Sequence, residues 1–413
     1  MDVGEDRSQR ALAWIGVAAL GVLVVGVAYL RPSLAPPAAA SPPAVRVPPA
    51  PGGWRLGSVS FGDVNHGAIQ FYRHNLPGPG PTTATFLTSD GGKTWRPVAS
   101  DRGGFGLASF LDRRTVLMQT ATSGGPTTTR LSDDGGNNWR RLADPRRFAG
   151  PGLPAFLNAQ HGWWLEREPS PEPRTPVTLW RTRDGGRSWQ QLAASGLPQT
   201  GFSGQLVFVD PLRGALIFTY RDGSHSWLAT TDAADSWQVV RGPDTPLPDT
   251  WTRSVILLRH GGRLLAWLQA VSGPPSPNGF LAPPNGTVGV AAFVSASDDG
   301  GQTWGPPQAG PYSLQSAYTS LIPRLDDRGR LLLLDNRHLW VSEDDGATWS
   351  ARVVQMPAGL QPAWSAGAPP GGLYAVAYQT GPTDIVTPST PLSLLRSTDG
   401  GAHWSSVTLP RPL

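Results

Sequence analysis

Seven arginine and tyrosine residues are spaced so that, brought together, they would bind an anion. They are Arg73, Arg146, Arg147, Arg167, Arg221, Tyr72 and Tyr220. Three of the arginines follow a glycine by five to seven residues, each at the end of a short, mainly apolar stretch. The pairs are Gly67 and Arg73, Gly162 and Arg167, and Gly214 and Arg221. A guanidinium presents paired N–H donors that match a carboxylate or phosphate. If these residues lie on one face of the protein, they would therefore form a positively charged patch that binds a carboxylate or an acidic peptide.

Further residues are expected near the same patch. Arg140 and Arg141 lie just before Arg146 and Arg147 in the sequence, and we expect all four near the same face. Aromatic side chains that would line the face are Tyr72, Trp163, Tyr220, Trp251, Tyr318 and Tyr378. The alternative for these aromatics is burial in the core, and for the arginines separate solvated positions.

Residues for covalent or metal chemistry are scarce. The chain has no cysteine, which excludes disulfides, thiolate metal sites and a cysteine nucleophile. The histidines show no metal-ligand spacing, and no nucleophile elbow or phosphate loop occurs. We therefore predict no catalytic residues, no metal and no cofactor.

A repeated motif sets the elements that must position these residues. The pattern Ser/Thr-x-Asp-x-Gly-x-x-Trp recurs seven times, with Ala234 in place of glycine in the fourth copy. Its Asp and Trp residues are Asp90 and Trp95, Asp134 and Trp139, Asp184 and Trp189, Asp232 and Trp237, Asp299 and Trp304, Asp344 and Trp349, and Asp399 and Trp404.

Each position of this motif predicts a role in a tight hairpin. The Asp accepts hydrogen bonds from its own turn, the hydroxyl holds the strand end, and the Gly supplies a positive φ. The Trp begins the next strand and covers the core beneath the turn. Ala234 should strain a left-handed position, so we expect the fourth turn to be looser or differently shaped. We also expect Trp237→Ala to cost less than Trp95→Ala.

A second motif, Phe-x-Asp/Asn-x-x-x-Gly, precedes several copies, as at Phe61, Phe156 and Phe208. It indicates two strands joined by a short turn, followed by a third strand into the first motif and a fourth strand out of it. Four short strands every 40–50 residues or so is the period of a propeller blade. The sequence therefore predicts an all-β, seven-bladed β-propeller of four-stranded blades over residues 54–409.

The seven motifs resemble the Asp-box (BNR) repeat, which occurs in sialidases, in sortilin-type receptors and in the photosystem II assembly and stability factor family. One box per blade, each preceded by a Phe-x-Asp/Asn turn, looks most like the last group. The resemblance implies boxes between the third and fourth strands, away from the ligand face. It also implies a non-catalytic scaffold or assembly factor that binds another protein or peptide, possibly an acidic one.

The same resemblance leaves an exo-sialidase-like glycoside hydrolase as the alternative. Such an enzyme would need an arginine triad, a Tyr–Glu pair and an Asp acid. Glu166, Glu168 and Glu172 fall in one Pro-rich stretch that we expect to be a loop, and Glu343 lies inside a box. A Tyr–Glu pair is therefore hard to assemble from separate blades.

The N-terminal residues predict a membrane anchor. Residues 11–30 carry no charge and would form a helix about 30 Å long, enough for one bilayer core. A cleaved signal peptide is the alternative, although its apolar region is usually shorter. Residues 1–10 would then be cytoplasmic, and the Pro/Ala-rich residues 31–53 a semi-rigid linker. We expect a single-pass cell-membrane protein with its propeller outside the cytoplasm.

The net charge of the chain argues against nucleic acid as a partner. The formal net charge of +4 is small for 413 residues, so we predict no nucleic-acid binding. The propeller itself is expected to be monomeric.

Overall fold

Seven four-stranded antiparallel sheets make up the computed structural model, each built from four consecutive strands in the order first, second, third, fourth. This confirms the predicted seven-bladed propeller. The structure describes residues 54–73, 83–101, 106–120, 128–145, 154–167, 177–198, 203–220, 224–244, 250–272, 290–314, 323–335, 338–357, 359–367, 372–379 and 392–410.

The strands of the first four blades lie within residues 54–240. Blade 1 has β1 (Trp54–Phe61), β2 (Gly67–Arg73), β3 (Thr83–Thr88) and β4 (Arg96–Asp101). Blade 2 has β5 (Gly106–Phe110), β6 (Val116–Thr120), β7 (Thr128–Ser132) and β8 (Arg140–Arg141). Blade 3 has β9 (Ala155–Phe156), β10 (Gly162–Arg167), β11 (Val177–Thr182) and β12 (Gln190–Leu192). Blade 4 has β13 (Ser203–Phe208), β14 (Gly214–Thr219), β15 (His225–Thr230) and β16 (Gln238–Val240).

The remaining three blades follow in the same order. Blade 5 has β17 (Thr250–His260), β18 (Arg263–Ser272), β19 (Val290–Ser297) and β20 (Gln308–Leu314). Blade 6 has β21 (Arg324–Leu325), β22 (Leu331–Leu334), β23 (His338–Ser342) and β24 (Ser350–Val353). Blade 7 has β25 (Leu360–Gly367), β26 (Leu373–Gln379), β27 (Leu392–Ser397) and β28 (Ser405–Val407).

Burial fixes the radial order of the strands. First strands of neighbouring blades contact each other, as β13 contacts both β9 and β17. Second strands are buried on both faces, as in β6 and β22. Fourth strands are largely exposed, and every residue of β24 is solvent-accessible. The first strands therefore surround the propeller axis, and the fourth strands form the outer rim.

Alternating strand direction gives the propeller two different ends. The turns from first to second strand and from third to fourth strand lie at one end, which we call the box face. Backbone hydrogen bonds join the two turns within a blade, as from Gly91 N–H to the Asn65 carbonyl (2.9 Å). The connections from second to third strand and from blade to blade lie at the opposite end, the loop face.

The core lies between blades, where large side chains of adjacent sheets interleave. Trp163 of blade 3 stacks on Phe208 of blade 4 with ring centroids 3.4 Å apart. Tyr374 of blade 7 stacks in the same way on Phe61 of blade 1, at 3.5 Å. These contacts bury both partners almost completely and fix each blade against the next.

The ring closes between blades 7 and 1 without a strand shared by both. A single apolar cluster joins Trp54, Phe61 and Phe71 of blade 1 with Tyr374 and Leu394 of blade 7. The Tyr374 hydroxyl donates to the Val64 carbonyl (2.8 Å), and the Trp95 indole N–H donates to the Thr408 carbonyl (2.8 Å). Side chains therefore hold this seam.

The predicted cytoplasmic residues 1–10, the apolar segment 11–30 and the linker 31–53 lie outside the described residues. Among the residues that are described, no helix has the length and apolar character to cross a membrane.

Candidate functional site

Each box is a closed hydrogen-bonded turn between a third and a fourth strand. In blade 1 the Thr88 hydroxyl donates to Asp90 Oδ1 (2.8 Å) and accepts from the Gly92 N–H (2.8 Å). The Thr94 N–H also donates to Asp90 Oδ1 (2.9 Å). The equivalent bonds recur in the other six boxes. The box carboxylates are thus occupied by their own turns.

The residue before each Trp also contributes to the turn, although the sequence motif allows any residue at this position. Its side chain donates to the second carboxylate oxygen, as from the Ser188 hydroxyl to Asp184 Oδ2 (2.6 Å). Thr, Ser, Asn or His fills this position in all seven boxes, and each can donate a hydrogen bond. In the seventh box it is His403, whose Nδ1 lies 2.6 Å from Asp399 Oδ2. The restriction of this position to side chains that can donate a hydrogen bond is visible in the sequence and could have predicted this role.

These bonds favour the ionised form of the box carboxylates. Hydrogen bonds from the Thr94 hydroxyl and N–H lower the pKa of Asp90 to about 2. The Asn138 N–H does most to lower the pKa of Asp134 to about 2. Burial acts to raise the pKa of Asp184, but hydrogen bonds from Ser188 outweigh it and bring the value to about 2. Such carboxylates stay ionised and are unsuited to serve as general acids near neutral pH.

Two consecutive left-handed residues close each box. Gly91 and Gly92 have φ of 75° and 87°, and five other boxes repeat this pair with at least one glycine. In the fourth box Ala233 and Ala234 adopt φ of 64° and 77°. The predicted strain is present, but the expectation of a looser turn is wrong, because the hydrogen bonds of Thr230 and Asp232 match those of the other boxes.

The fourth box is also the most firmly covered. Trp237 is 4% exposed and belongs to the core between blades 3 and 4, whereas Trp95 is only partly buried. The Ala233 carbonyl accepts hydrogen bonds from Trp163 Nε1 (3.2 Å) and Arg181 (3.1 Å) of blade 3. The expectation that Trp237→Ala would cost less than Trp95→Ala is therefore reversed.

The Phe-x-Asp/Asn turns are built by a side-chain cap. Asp63 Oδ1 accepts from the Asn65 and His66 N–H groups, both at 2.7 Å, and Asp210 Oδ1 does the same for Leu212 and Arg213. The glycine ending the motif lies under the aromatic ring, since a Cβ at Gly214 would approach Phe208 to 2.8 Å. These turns are structural, as carboxylates in Asx turns usually are.

Arginines on the box face link several blades to the box of the next blade. Arg96 of blade 1 donates to the Gly136 carbonyl (2.8 Å), and Arg140 of blade 2 to the carbonyls of Gly185 and Ala159. Arg263 of blade 5 pairs with Asp345 in the sixth box. Arg140 therefore lies on the box face, and our expectation that it would join the ligand patch is wrong. Burial and the neighbouring Arg187 lower the pKa of Arg140.

The structure brings only part of the predicted patch to the loop face. Arg73 is the last residue of β2 and Arg167 the last of β10, which places both at loop-face strand ends, in blades 1 and 3. Arg221, Arg146 and Arg147 lie outside the described residues. Tyr72 is half-buried, and a Cβ at Gly57 would lie 2.9 Å from its ring, so it packs on its own blade.

Blade 4 carries a polar network at the loop face that sequence analysis missed. The Tyr220 hydroxyl lies 2.9 Å from Ser226 Oγ, while the ring packs against the core of blades 3 and 4. His225 Nδ1 lies 3.0 Å from Thr219 Oγ1, and Nε2 lies 3.1 Å from the Thr252 carbonyl of blade 5. The Thr219 and Tyr220 pairs lie across the hairpin of β14 and β15, whereas the His225 contact to Thr252 forms only when β17 of blade 5 packs against blade 4.

Other expected loop-face residues are buried. Trp163 is 1% and Tyr378 is 8% exposed, so both belong to the blades. Glu166 lies in β10 rather than in a loop, is 6% exposed, and accepts a hydrogen bond from Trp180 Nε1 (3.3 Å). Trp251 has its backbone in β17, whereas Tyr318 lies outside the described residues. Within the described part of the chain, no group of three acidic or histidine side chains could hold a metal.

Seven four-stranded blades, each with one such hydrogen-bonded turn between its third and fourth strands, make this chain a seven-bladed β-propeller. No family model and no curated protein matches the chain. Among solved structures it is similar to "YCF48 bound to D1 peptide", at 18% identity over 88% of this chain and 99% of that one, with a TM-score of 0.42.

Two further likenesses have similar coverage. YCF48 from Cyanidioschyzon merolae is 16% identical over 80% of this chain and 94% of that chain, with a TM-score of 0.41. The GH93 α-L-arabinofuranosidase of Fusarium graminearum, in complex with arabinobiose, is 13% identical over 84% of this chain and 95% of that one, with a TM-score of 0.38. The fold is established by the strand pairing within this chain's own seven sheets.

Proposed function

We propose that this protein is a membrane-anchored, extracytoplasmic propeller that binds another protein or peptide through its loop face, as a scaffold or assembly factor. The observation that carries the proposal is the difference between the box face and the loop face. At the box face all seven box carboxylates serve their own turns. At the loop face the ends of β2 and β10 place Arg73 and Arg167 at the same end of the molecule.

An acidic peptide is the partner that these groups favour. Arginine at strand ends presents fork-shaped donors on a rigid scaffold, which suits bidentate contacts to carboxylates. Tyr220, whose hydroxyl lies 2.9 Å from Ser226 Oγ, is a half-buried aromatic side chain at the loop-face end of blade 4. The membrane anchor in this proposal rests on the charge-free residues 11–30.

Site-specific photocrosslinking in membranes tests which face binds. A photoreactive residue at the exposed loop-face position Ser224 should give discrete adducts with a partner protein. The same residue at the exposed box-face position Lys93 serves as the matched control and should give none. Arg73→Ala together with Arg167→Ala should weaken the Ser224 adducts.

Equal adducts from both positions, or adducts that survive the double arginine substitution, would contradict the assignment of the loop face. Protease protection of the propeller in intact cells tests the proposed topology separately. Protease added outside intact cells should digest an extracytoplasmic propeller. Digestion that begins only after the membrane is permeabilised would contradict this topology.

The glycoside hydrolase alternative makes a different prediction. Hydrolysis of a fluorogenic sialoside or another glycoside by the purified protein, abolished by Arg73→Ala, would favour an enzyme with the arginines as a carboxylate clamp. Glu166 is a poor candidate partner for a tyrosine nucleophile there, because it is buried in β10 beside Trp180.

A further inference from the structure

The exposed charges of the box face are divided between two sides of the ring. In the turns from first to second strand and from third to fourth strand, blades 1 to 3 carry five exposed cations and two exposed acids. The same turns of blades 4 to 6 carry one exposed cation and five exposed acids, and blade 7 adds one acid. Residues 368–371, the part of these turns that lies outside the described residues, hold no charged side chain. The box face is therefore positive on one side and negative on the other.

The positive side is formed by cations that lack an acidic neighbour. Within the described part of the chain, none of the five makes an ion pair with a carboxylate. A further sign of their mutual repulsion is the lowered pKa of Arg140, which burial causes first and the positive charge of the adjacent Arg187 second. We call the five exposed cations the basic arc: Lys93, Arg113, Arg114, Arg183 and Arg187.

The negative side is formed by acids that remain accessible even where they are paired. Asp235, Asp298 and Glu343 each pair with one arginine of the same or the preceding blade, yet their side chains stay 57%, 77% and 72% exposed. A carboxylate has two oxygens and can accept from a second cation. We call the five exposed acids the acidic arc: Asp235, Asp298, Asp327, Glu343 and Asp344.

The two arcs complement each other only between molecules. They occupy successive halves of one ring and point out of the same face, so they cannot meet within one copy. A twofold interface brings the same patch of each copy together and must be self-complementary. A half-turn about an axis that lies in the box face, midway between the arcs, places each basic arc on the acidic arc of the other copy.

We propose that two copies of this protein associate box face to box face, with the basic arc of each copy on the acidic arc of the other. Opposed charges steer such an encounter and fix its orientation, whereas the reverse orientation would juxtapose like charges. The association departs from the monomer expected from the sequence. It goes beyond the proposed partner binding and does not depend on it, since both loop faces point outwards.

Sedimentation velocity of the full-length protein in a neutral detergent at low ionic strength tests the proposal. The unmodified protein should sediment as a dimer there and as a monomer at high salt, because salt screens exposed charges. Arg183→Glu with Arg187→Glu reverses charge in the basic arc, and Asp327→Lys with Glu343→Lys does so in the acidic arc. Each double variant alone should self-associate about tenfold more weakly or worse.

An equimolar mixture of the two double variants is the decisive sample. One intact basic arc then faces one intact acidic arc, so the mixture should form heterodimers more readily than either variant forms homodimers. Arg241→Glu with Arg352→Glu changes the net charge by as much as the basic-arc variant does, at exposed positions outside the box-face turns. This control should dimerise as the unmodified protein does.

Three results would overturn the proposal. They are a monomer at every concentration at low ionic strength, dimers that persist in both double variants, and a mixture that associates no better than its components. Circular dichroism checks that each variant is folded. Should the basic-arc variant fail to fold, Arg113→Glu with Arg114→Glu reverses the same arc in blade 2 and should give the same loss. A photoreactive residue at Lys93 would then link two copies of this chain, and the mass of that adduct separates it from an adduct with a partner protein.

Discussion

At the scale of single residues, the boxes depend on backbone conformations that most side chains avoid. A left-handed conformation costs a non-glycine residue about 1 kcal/mol or more. Asp345 accepts this cost at φ 57° while its carboxylate pairs with Arg263 of blade 5. Ala233 accepts it at φ 64° while its carbonyl binds Trp163 and Arg181 of blade 3. In both cases contacts to the preceding blade accompany the strain.

Two glycine substitutions separate conformational strain from crowding. Gly346 has φ 92°, and an added Cβ would lie 2.7 Å from the buried Val294, whereas Gly261 has φ 56° with nothing within 4 Å. Gly346→Ala should therefore destabilise the protein by ~3 kcal/mol and Gly261→Ala by ~1 kcal/mol, judged from urea unfolding midpoints. Equal losses would show that the close packing of box glycines against the preceding blade is unimportant.

Truncation of two box tryptophans should give the order that burial dictates. Trp237→Ala should cost ~3–5 kcal/mol, since the indole is 4% exposed and surrounded by the core of blades 3 and 4. Trp95→Ala should cost less, because Trp95 is partly exposed and contributes one hydrogen bond to Thr408. Denaturant titrations of both variants measure this, and a larger loss for Trp95 would contradict the assigned packing.

At the scale of the element, each box acts as a small electrostatic unit. The carboxylate of Asp134 accepts bonds from Ser132, Asn137 and Asn138 of its own turn. Because such bonds lower the folded pKa while the unfolded pKa stays near 4, they stabilise the protein above pH 4. That contribution is lost as the pH falls from about 4 to about 2.

Acid unfolding should therefore be steep in this interval. Asp90→Asn should reduce the loss of melting temperature between pH 4 and pH 2, since the substituted residue has no proton to take up in that range. Asp133→Asn, at an exposed box position outside the carboxylate's hydrogen bonds, is the control and should leave the profile unchanged. Superimposable acid profiles for Asp90→Asn and the unmodified protein would refute the role of the turn.

The elements were predictable to the extent that their determinants are local. The hydrogen bonds of Asp90 lie within seven residues of sequence, so the motif alone indicated the turn and, by repetition, the blades. Contacts between blades have no such signature. Arg140 reaches the third box across 45 residues, and Arg259 reaches Leu157 across 102, so their neighbours emerged only when the ring was assembled. Glu166, expected in a loop, extends β10 instead, because it pairs with Thr178 of β11 in the same blade.

At the scale of the whole molecule, the seam between blades 7 and 1 is closed by aromatic and polar side chains. Burial raises the pKa of Tyr374 to about 12, above its usual value of 10.0. The neutral hydroxyl that donates to the Val64 carbonyl is thus the form that the folded ring retains. Stability from this group is present below pH 10 and is lost as the pH rises from 10 to 12.

Tyr374→Phe should lower the stability by ~1–2 kcal/mol at neutral pH, because the Val64 carbonyl loses its donor. The variant should also lose less stability than the unmodified protein between pH 10 and pH 12. Tyr220→Phe, at a half-buried tyrosine away from the seam, is the control. An unaltered alkaline profile in Tyr374→Phe would mean that the seam does not shield this hydroxyl.

The absence of a strand shared across that seam has a consequence for how the polypeptide can be rearranged. Every blade is made of four consecutive strands, and blade 7 meets blade 1 through the kind of stacked ring pair that joins blades 3 and 4. No junction is therefore topologically special. A propeller rearranged so that it begins at blade 4 and ends at blade 3, with a short peptide joining residue 410 to residue 54, should yield a circularly permuted ring with the same seven sheets.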